Sequence, residues 1–132
     1  VVENSDYQSK LNIKTLVLIR TPFGYIFEKD LNGCYFLVGK HIQMGETCHE
    51  AIKKGVLEEV GHRVTAIEFI AVYEQFLSTN TSGPLHEIDF IYKAEVDQEL
   101  ELPHGYHTVL KEHISKLKIC PNSIKSFIMD EI

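Results

Sequence analysis

The sequence predicts one α/β domain, and three stretches carry that prediction. Residues 12–20, NIKTLVLIR, and 85–96, LHEIDFIYKAEV, have the β-branched or alternating character of strands, while residues 47–61 carry the start signal, apolar period and stop signal of an amphipathic helix. A chain of 132 residues is long enough to bury one core, and its 44% hydrophobic and 24% charged residues are the proportions of an ordinary globular domain. The formal charge of −6 argues against a nonspecific grip on a nucleic acid backbone, which needs a basic face, so no nucleic acid partner is expected. Cys34, Cys48 and Cys120 are odd in number and follow no metal-binding spacing, so they read as reduced thiols of a cytoplasmic protein. No apolar run reaches membrane-spanning length and no signal-peptide pattern opens the chain, so no membrane partner is expected.

Taken in order, residues 1–10 are polar and expected to form a flexible N-terminal segment, with the single domain over 11–132. After the strand at 12–20, Thr21 to Gly24 break the run. Residues 25–28 suggest a second short strand, and Asn32-Gly33 a turn into CYFLV, which delivers the chain to a glycine-bearing loop at 39–45. Thr47 can then cap a helix, with Glu50 completing a capping box and Gly61 ending it, and Ala51, Ile52, Val56 and Val60 share its buried face. Residues 64–77 read as a long strand, with Ile67, Phe69, Ala71 and Tyr73 on one face and Glu68, Ile70, Val72 and Glu74 on the other. STNTSGP, 78–84, has the composition of a mobile loop, either a lid or a plain solvent loop. In 85–96, His86, Ile88, Phe90, Tyr92 and Ala94 share one face, while Glu87 and Asp89 point the other way, toward water or toward the site. Acidic residues 97–103 read as irregular, 104–110 as leading into a short strand and 112–117 as a helical turn. Pro121 reads as the first position of a terminal helix with Ile124, Phe127 and Ile128 on one face.

The most informative stretch is 37–62, LVGKHIQMGETCHEAIKKGVLEEVGH, where a glycine-bearing loop hands over to a helix bearing carboxylates. It resembles the box of the Nudix family, MutT-like proteins whose pattern is Gly, five residues, Glu, seven residues, then Arg-Glu-aliphatic-any-Glu-Glu-any-Gly-aliphatic. Glu46, Val56, Glu58, Glu59 and Gly61 match at the required spacings, and Gly39 and Gly45 stand where many members have glycine. The box is degenerate. Lys40 stands where it begins with Gly, Lys54 where it has Arg, Gly55 where it has the first Glu, and His62 where it has an aliphatic residue.

The resemblance implies an α/β/α sandwich around a mixed β-sheet. It also implies a pyrophosphohydrolase that uses magnesium or manganese to cleave a nucleoside diphosphate linked to another group, with a small-molecule nucleotide as its partner and a homodimer as a common assembly. Water would attack phosphorus in line, and the Gly39 carbonyl, Glu58 and Glu59 would hold the metal, supported by Glu46. A glutamate from a downstream loop often completes the metal shell in relatives. Glu99 and Glu101 stand where one could, with Glu101 preferred for its place nearer the next element. Magnesium takes oxygen ligands and keeps several waters, so a few carboxylates plus substrate phosphates suffice. On a helix, positions 55, 58 and 59 would share one patch, and Glu46 would lie at the positive end of the helix dipole.

Lys40, Arg20 and Lys54 are the candidate substrate contacts. Lys40 is in the loop that would face the diphosphate, where lysine acts as a point charge, while Arg20 is either a phosphate contact or a solvated strand-end charge. Lys54 keeps the charge of the family's arginine without its planar fork. His41 and His49 read as surface residues. Gly55 costs about 1 kcal/mol relative to Ala in a helix interior and leaves the site one carboxylate short. Two readings follow: catalysis weakened or relocated onto a water or another carboxylate, or a catalytically silent domain that senses a nucleotide or binds a partner. Gly55→Glu distinguishes them, because it should create hydrolysis in a disabled enzyme and reduce it in a rebuilt one.

Overall fold

The run Thr15 to Ile19 is buried at every residue, which marks a strand covered on both faces. In the computed structural model, which describes residues 10–79, 83–98 and 101–132, this run is the middle of β1 (Lys10–Thr21). The chain continues through β2 (Gly24–Lys29), β3 (Tyr35–Phe36), β4 (Val38–His41), α1 (Cys48–Gly55), a π-helical turn (Val56–Val60), β5 (Ala66–Thr79) and β6 (Gly83–Glu95). It ends with β7 (Tyr106–Val109), a 3₁₀ turn (Lys111–Lys116) and α2 (Ile124–Glu131). The strands form a mixed sheet: β1 runs parallel to β6 from Lys10↔Leu85 to Arg20↔Glu95, and the other pairings are antiparallel. On its opposite side β1 is shared, with β4 along Lys14–Val17 and β2 along Ile19–Thr21.

Alternation along β1 divides the core. Leu16 and Leu18 pack with Ile91, Ile114, Ile124 and Ile128 on the α2 side, whereas Val17 and Ile19 pack with Ile52, Val56 and Val60 on the α1 side. The result is the expected α/β/α sandwich around a mixed sheet.

Several local expectations change. Lys10, placed at the end of the N-terminal segment, is the first residue of β1 and pairs with Leu85, while residues 1–9 lie outside the described part. Gly39, Lys40 and His41 belong to a strand, not a loop, because β1 is long enough to pair with them as well as with β2. The face assignment of β5 holds only in part. An irregularity between Phe69 and Ala71 inserts a residue, so Ile70 and Tyr73 pack on the α2 side while Ile67 packs on the α1 side. Most of the expected loop at 78–84 is hairpin strand, with Ser78 opposite Pro84 and Thr79 opposite Gly83, and 80–82 lie outside the described residues. Pro121 precedes α2 in a turn, where its carbonyl accepts the N–H of Ile124, instead of opening the helix.

Candidate functional site

The site grows from the β4–α1 connection. β4 sets Lys40 opposite Thr15, whose hydroxyl donates to the Lys40 carbonyl at 3.4 Å, and this register turns the Lys40 side chain toward α1. The turn that follows uses Gly45 at φ +81°, a left-handed conformation that favours glycine. Glu46 closes that turn, its carboxylate accepting the Gln43 N–H at 3.0 Å. Thr47 then caps α1: its hydroxyl accepts the Glu50 N–H at 3.1 Å, and the Glu50 carboxylate accepts the Thr47 N–H at 3.3 Å. The helix therefore starts where its local signals put it.

Its end differs. α1 stops being α-helical at Gly55, and residues 56–60 widen into a π turn closed by Gly61 at φ +77°. The wider turn still buries Val56 and Val60, and leaves Glu58 exposed and Glu59 half-buried. His62, in the box's aliphatic position, is 2% exposed and meets burial with a 2.7 Å contact from Nδ1 to the Val60 carbonyl.

Gly55 is buried beneath Lys40. A Cβ built on Gly55 would lie 3.3 Å from Cβ, Cγ and Cδ of Lys40, so a side chain at 55 would have to push the lysine stem aside by a few tenths of an ångström. The Lys40 ammonium ends 3.4 Å from Glu58 Oε2. Glu59 is half-buried, and the Tyr106 hydroxyl donates to it at 3.5 Å. Burial, reinforced by the Glu28 and Glu59 charges, pushes the Tyr106 pKa up to about 12, so this donor keeps its proton through the physiological range.

The structure thus brings Lys40, Glu58 and Gly55 together, with Tyr106 on Glu59. Gly39 lies in β4 opposite Leu16, one residue from Lys40. Glu101 is exposed and precedes Leu102, which packs against the apolar cluster holding Val56 and Val60, while Glu99 lies outside the described residues. Lys54 is exposed in the last turn of α1. Arg20 is separated from the others, because five residues of extended strand, roughly 16 Å at about 3.3 Å each, divide it from Thr15, the partner of Lys40. It pairs instead with Glu95 at 3.1 Å.

The described residues offer a divalent ion fewer side-chain ligands than the family pattern does. Among them no three His, Cys, Asp or Glu side chains gather where they could hold an ion. The box position that would supply a further carboxylate is a glycine packed under the Lys40 stem, and Glu58 faces the Lys40 ammonium.

On the α2 side lies a second polar cluster that sequence reasoning left open. Glu87 and Asp89 are buried at 6% and 0% exposure, bridged by Gln75 Nε2 at 3.3 and 2.7 Å, and Lys14 pairs with Glu87 at 3.4 Å. Burial, against the Gln75 hydrogen bond, pushes Asp89 up to about 7, and its Oδ1 has no hydrogen-bond partner. The cluster borders a cavity of about 340 Å³ lined by Lys14, Leu16, Gln75, Glu87, Cys120 and Ile124. The sequence signal was present: two acids alternating with apolar residues in a strand covered on both faces.

Among the described residues, no helix is long and apolar enough to cross a membrane. A comparison with curated proteins finds no match. Among solved structures, the MutT protein from Bacillus halodurans is 17% identical with a TM-score of 0.72, the match covering 89% of this chain and 80% of that one. A NUDIX hydrolase from Nitrosomonas europaea is 20% identical, with a TM-score of 0.68 over 92% of this chain and 88% of that one. The dihydroneopterin triphosphate pyrophosphohydrolase of E. coli is 13% identical, with a TM-score of 0.71 over 91% and 94%. At these identities the likeness concerns the fold. The NUDIX domain model, however, matches residues 2–123, nearly the whole sequence, and the chain belongs to the Nudix family, whose members are hydrolases acting on phosphorus-containing anhydrides.

Proposed function

We propose that this domain is a slow pyrophosphohydrolase of a nucleoside diphosphate linked to another group, acting at the junction of β4 and α1. The observation that supports it is the survival of Glu58 and Glu59 on the turn after α1, with Lys40 held at Glu58. Water attacks one phosphorus of the anhydride in line, a P–O bond forms, and the bridging P–O bond breaks. Lys40 neutralises a phosphate oxygen as a point charge, and Glu59, fixed by Tyr106, orients the attacking water and receives its proton. Losing one preorganised electrostatic contributor lowers turnover by about 10²–10³-fold, so the activity lies well below that of an intact box. A divalent cation is the general requirement of relatives, and no step here is assigned to it, because position 55 lacks the third carboxylate and Glu58 faces Lys40.

The same ion pair favours a second reading, a catalytically silent domain that senses a nucleotide or binds a partner, since Lys40 pairs with one member of the Glu58–Glu59 pair. A panel of nucleoside triphosphates, dinucleoside polyphosphates, nucleotide sugars and ADP-ribose, assayed with each metal and with EDTA, decides between them. Turnover lost in Glu59→Gln supports the hydrolase. Turnover no higher in the wild type than in a Glu58→Gln, Glu59→Gln double variant, with nucleotide still bound, rejects it in favour of the silent domain.

A further inference from the structure

Lys40 and Gly55 depart from the box in opposite senses. The pattern has no side chain at position 40 and a glutamate at 55, whereas this chain has a long cation at 40 and nothing at 55. The structure links the two changes, because the stem of Lys40 packs over Gly55, with its Cβ, Cγ and Cδ all 3.3 Å from where a Cβ at 55 would lie. The stem is held from both ends. Its backbone is fixed by the β4–β1 register at Thr15, and its ammonium rests 3.4 Å from Glu58 Oε2, with the lysine side chain 23% exposed and the glutamate 52%. Packing the methylenes over Gly55 leaves the charged head at the rim, as long cationic side chains prefer. A carboxylate of the pair that would draw a divalent ion therefore already faces a cation tethered to the fold.

We propose that the Lys40 ammonium takes the place of the divalent ion at this site. The diphosphate of the ligand is held by Lys40 Nζ, which Glu58 and the space at Gly55 keep in position, and binding proceeds without metal. This rests on the reading that the β4–α1 junction receives a diphosphate.

Inorganic pyrophosphate and ADP serve as probes in calorimetric titrations of the full chain, with EDTA and with magnesium. The wild type should bind both probes in EDTA with affinity within a few-fold of that in magnesium. Lys40→Met, which keeps the stem and removes the charge, should fold with an unchanged thermal midpoint and lose about 10–100-fold in EDTA, the worth of a charge-assisted contact. The reciprocal variant Lys40→Gly, Gly55→Glu should bind the probes only with magnesium and should bind Mn²⁺ detected by electron paramagnetic resonance, which the wild type should not. Wild-type binding that needs magnesium, or Mn²⁺ binding by the wild type that Glu58→Gln abolishes, overturns the proposal and leaves the diphosphate reading standing. Unchanged affinity in Lys40→Met also overturns it. Failure of either probe to bind under any condition overturns both.

Discussion

If the Lys40 stem excludes a side chain from position 55, the two positions must be energetically coupled even in the absence of ligand. Gly55→Ala isolates the effect. Replacing glycine by alanine in a helix gains about 1 kcal/mol, and position 55 is the last residue of α1, still at right-handed φ −64°. Against this gain, the new methyl would meet three Lys40 carbons at 3.3 Å, inside the comfortable carbon separation of about 3.5–4.0 Å. The Cγ and Cδ atoms can swing away, but Cβ is fixed by the β4 backbone paired to β1, so the contact cannot be fully relieved. Overpacking of this kind costs about 1–3 kcal/mol. Gly55→Ala should therefore be neutral or destabilising when Lys40 is present and should stabilise by about 1 kcal/mol in a Lys40→Gly background. The strand cost of Lys40→Gly is common to both arms and cancels. Urea unfolding of the four proteins, with equal m-values, reads the coupling directly. Additivity within about 0.3 kcal/mol would refute the steric argument.

Asp89 offers a pH test. Its folded pKa, about 7, lies above the ordinary aspartate value of 3.8, so between those values the folded protein holds a proton that the unfolded chain has lost. The cost of burying the charge is full above about pH 7 and is relieved as pH falls toward 4. Asp89→Asn should stabilise the protein at pH 8 and flatten the rise in stability otherwise seen between pH 8 and pH 5, measured by denaturant titration at each pH; an unchanged profile would reject the assignment. Thr47→Ala should cost about 1 kcal/mol by removing the α1 cap, and Thr47→Ser should retain most of it, as read from unfolding midpoints. The Cys34 and Cys120 sulfurs lie 2.8 Å apart across 86 residues. Oxidation by the azo compound diamide, which takes two electrons and two protons from the thiol pair, should join them and spare Cys48 in a peptide map, and Cys34→Ser should leave Cys120 without this intramolecular link.

The features legible in the sequence were those written locally. Thr47 and Glu50 are three residues apart and Gly61 needs only its own φ, so the bounds of the helical segment were readable. The strand at 12–20 was readable from its β-branched residues and leucines, and the strand at 85–96 from its alternation. What failed depended on partners distant in sequence. Lys40 looked like a loop residue because nothing near it announces that Thr15, 25 residues earlier, will pair with it. The faces of β5 shifted because one inserted residue resets the alternation, and no residue type at 69–71 signals it. Glu87 and Asp89 were left between water and site because their burial is set by Gln75 from the next strand and by α2 packing behind them.

Gly55 is the sharpest case, since a helix-breaking residue at a box position suggests simple loss when read along the helix. Across the fold, it is the complement of Lys40. This changes which experiment can test the site. Gly55→Glu alone should not restore a family centre, because the new side chain must displace the lysine stem, whose carbons lie 3.3 Å from its Cβ, while the ammonium at Glu58 stays in place. A null result from that single substitution would report the clash and the ion pair, not the capacity of the carboxylates for metal. Only replacement at both positions removes the tethered cation as it returns the carboxylate, so the reciprocal double variant is the informative reversal.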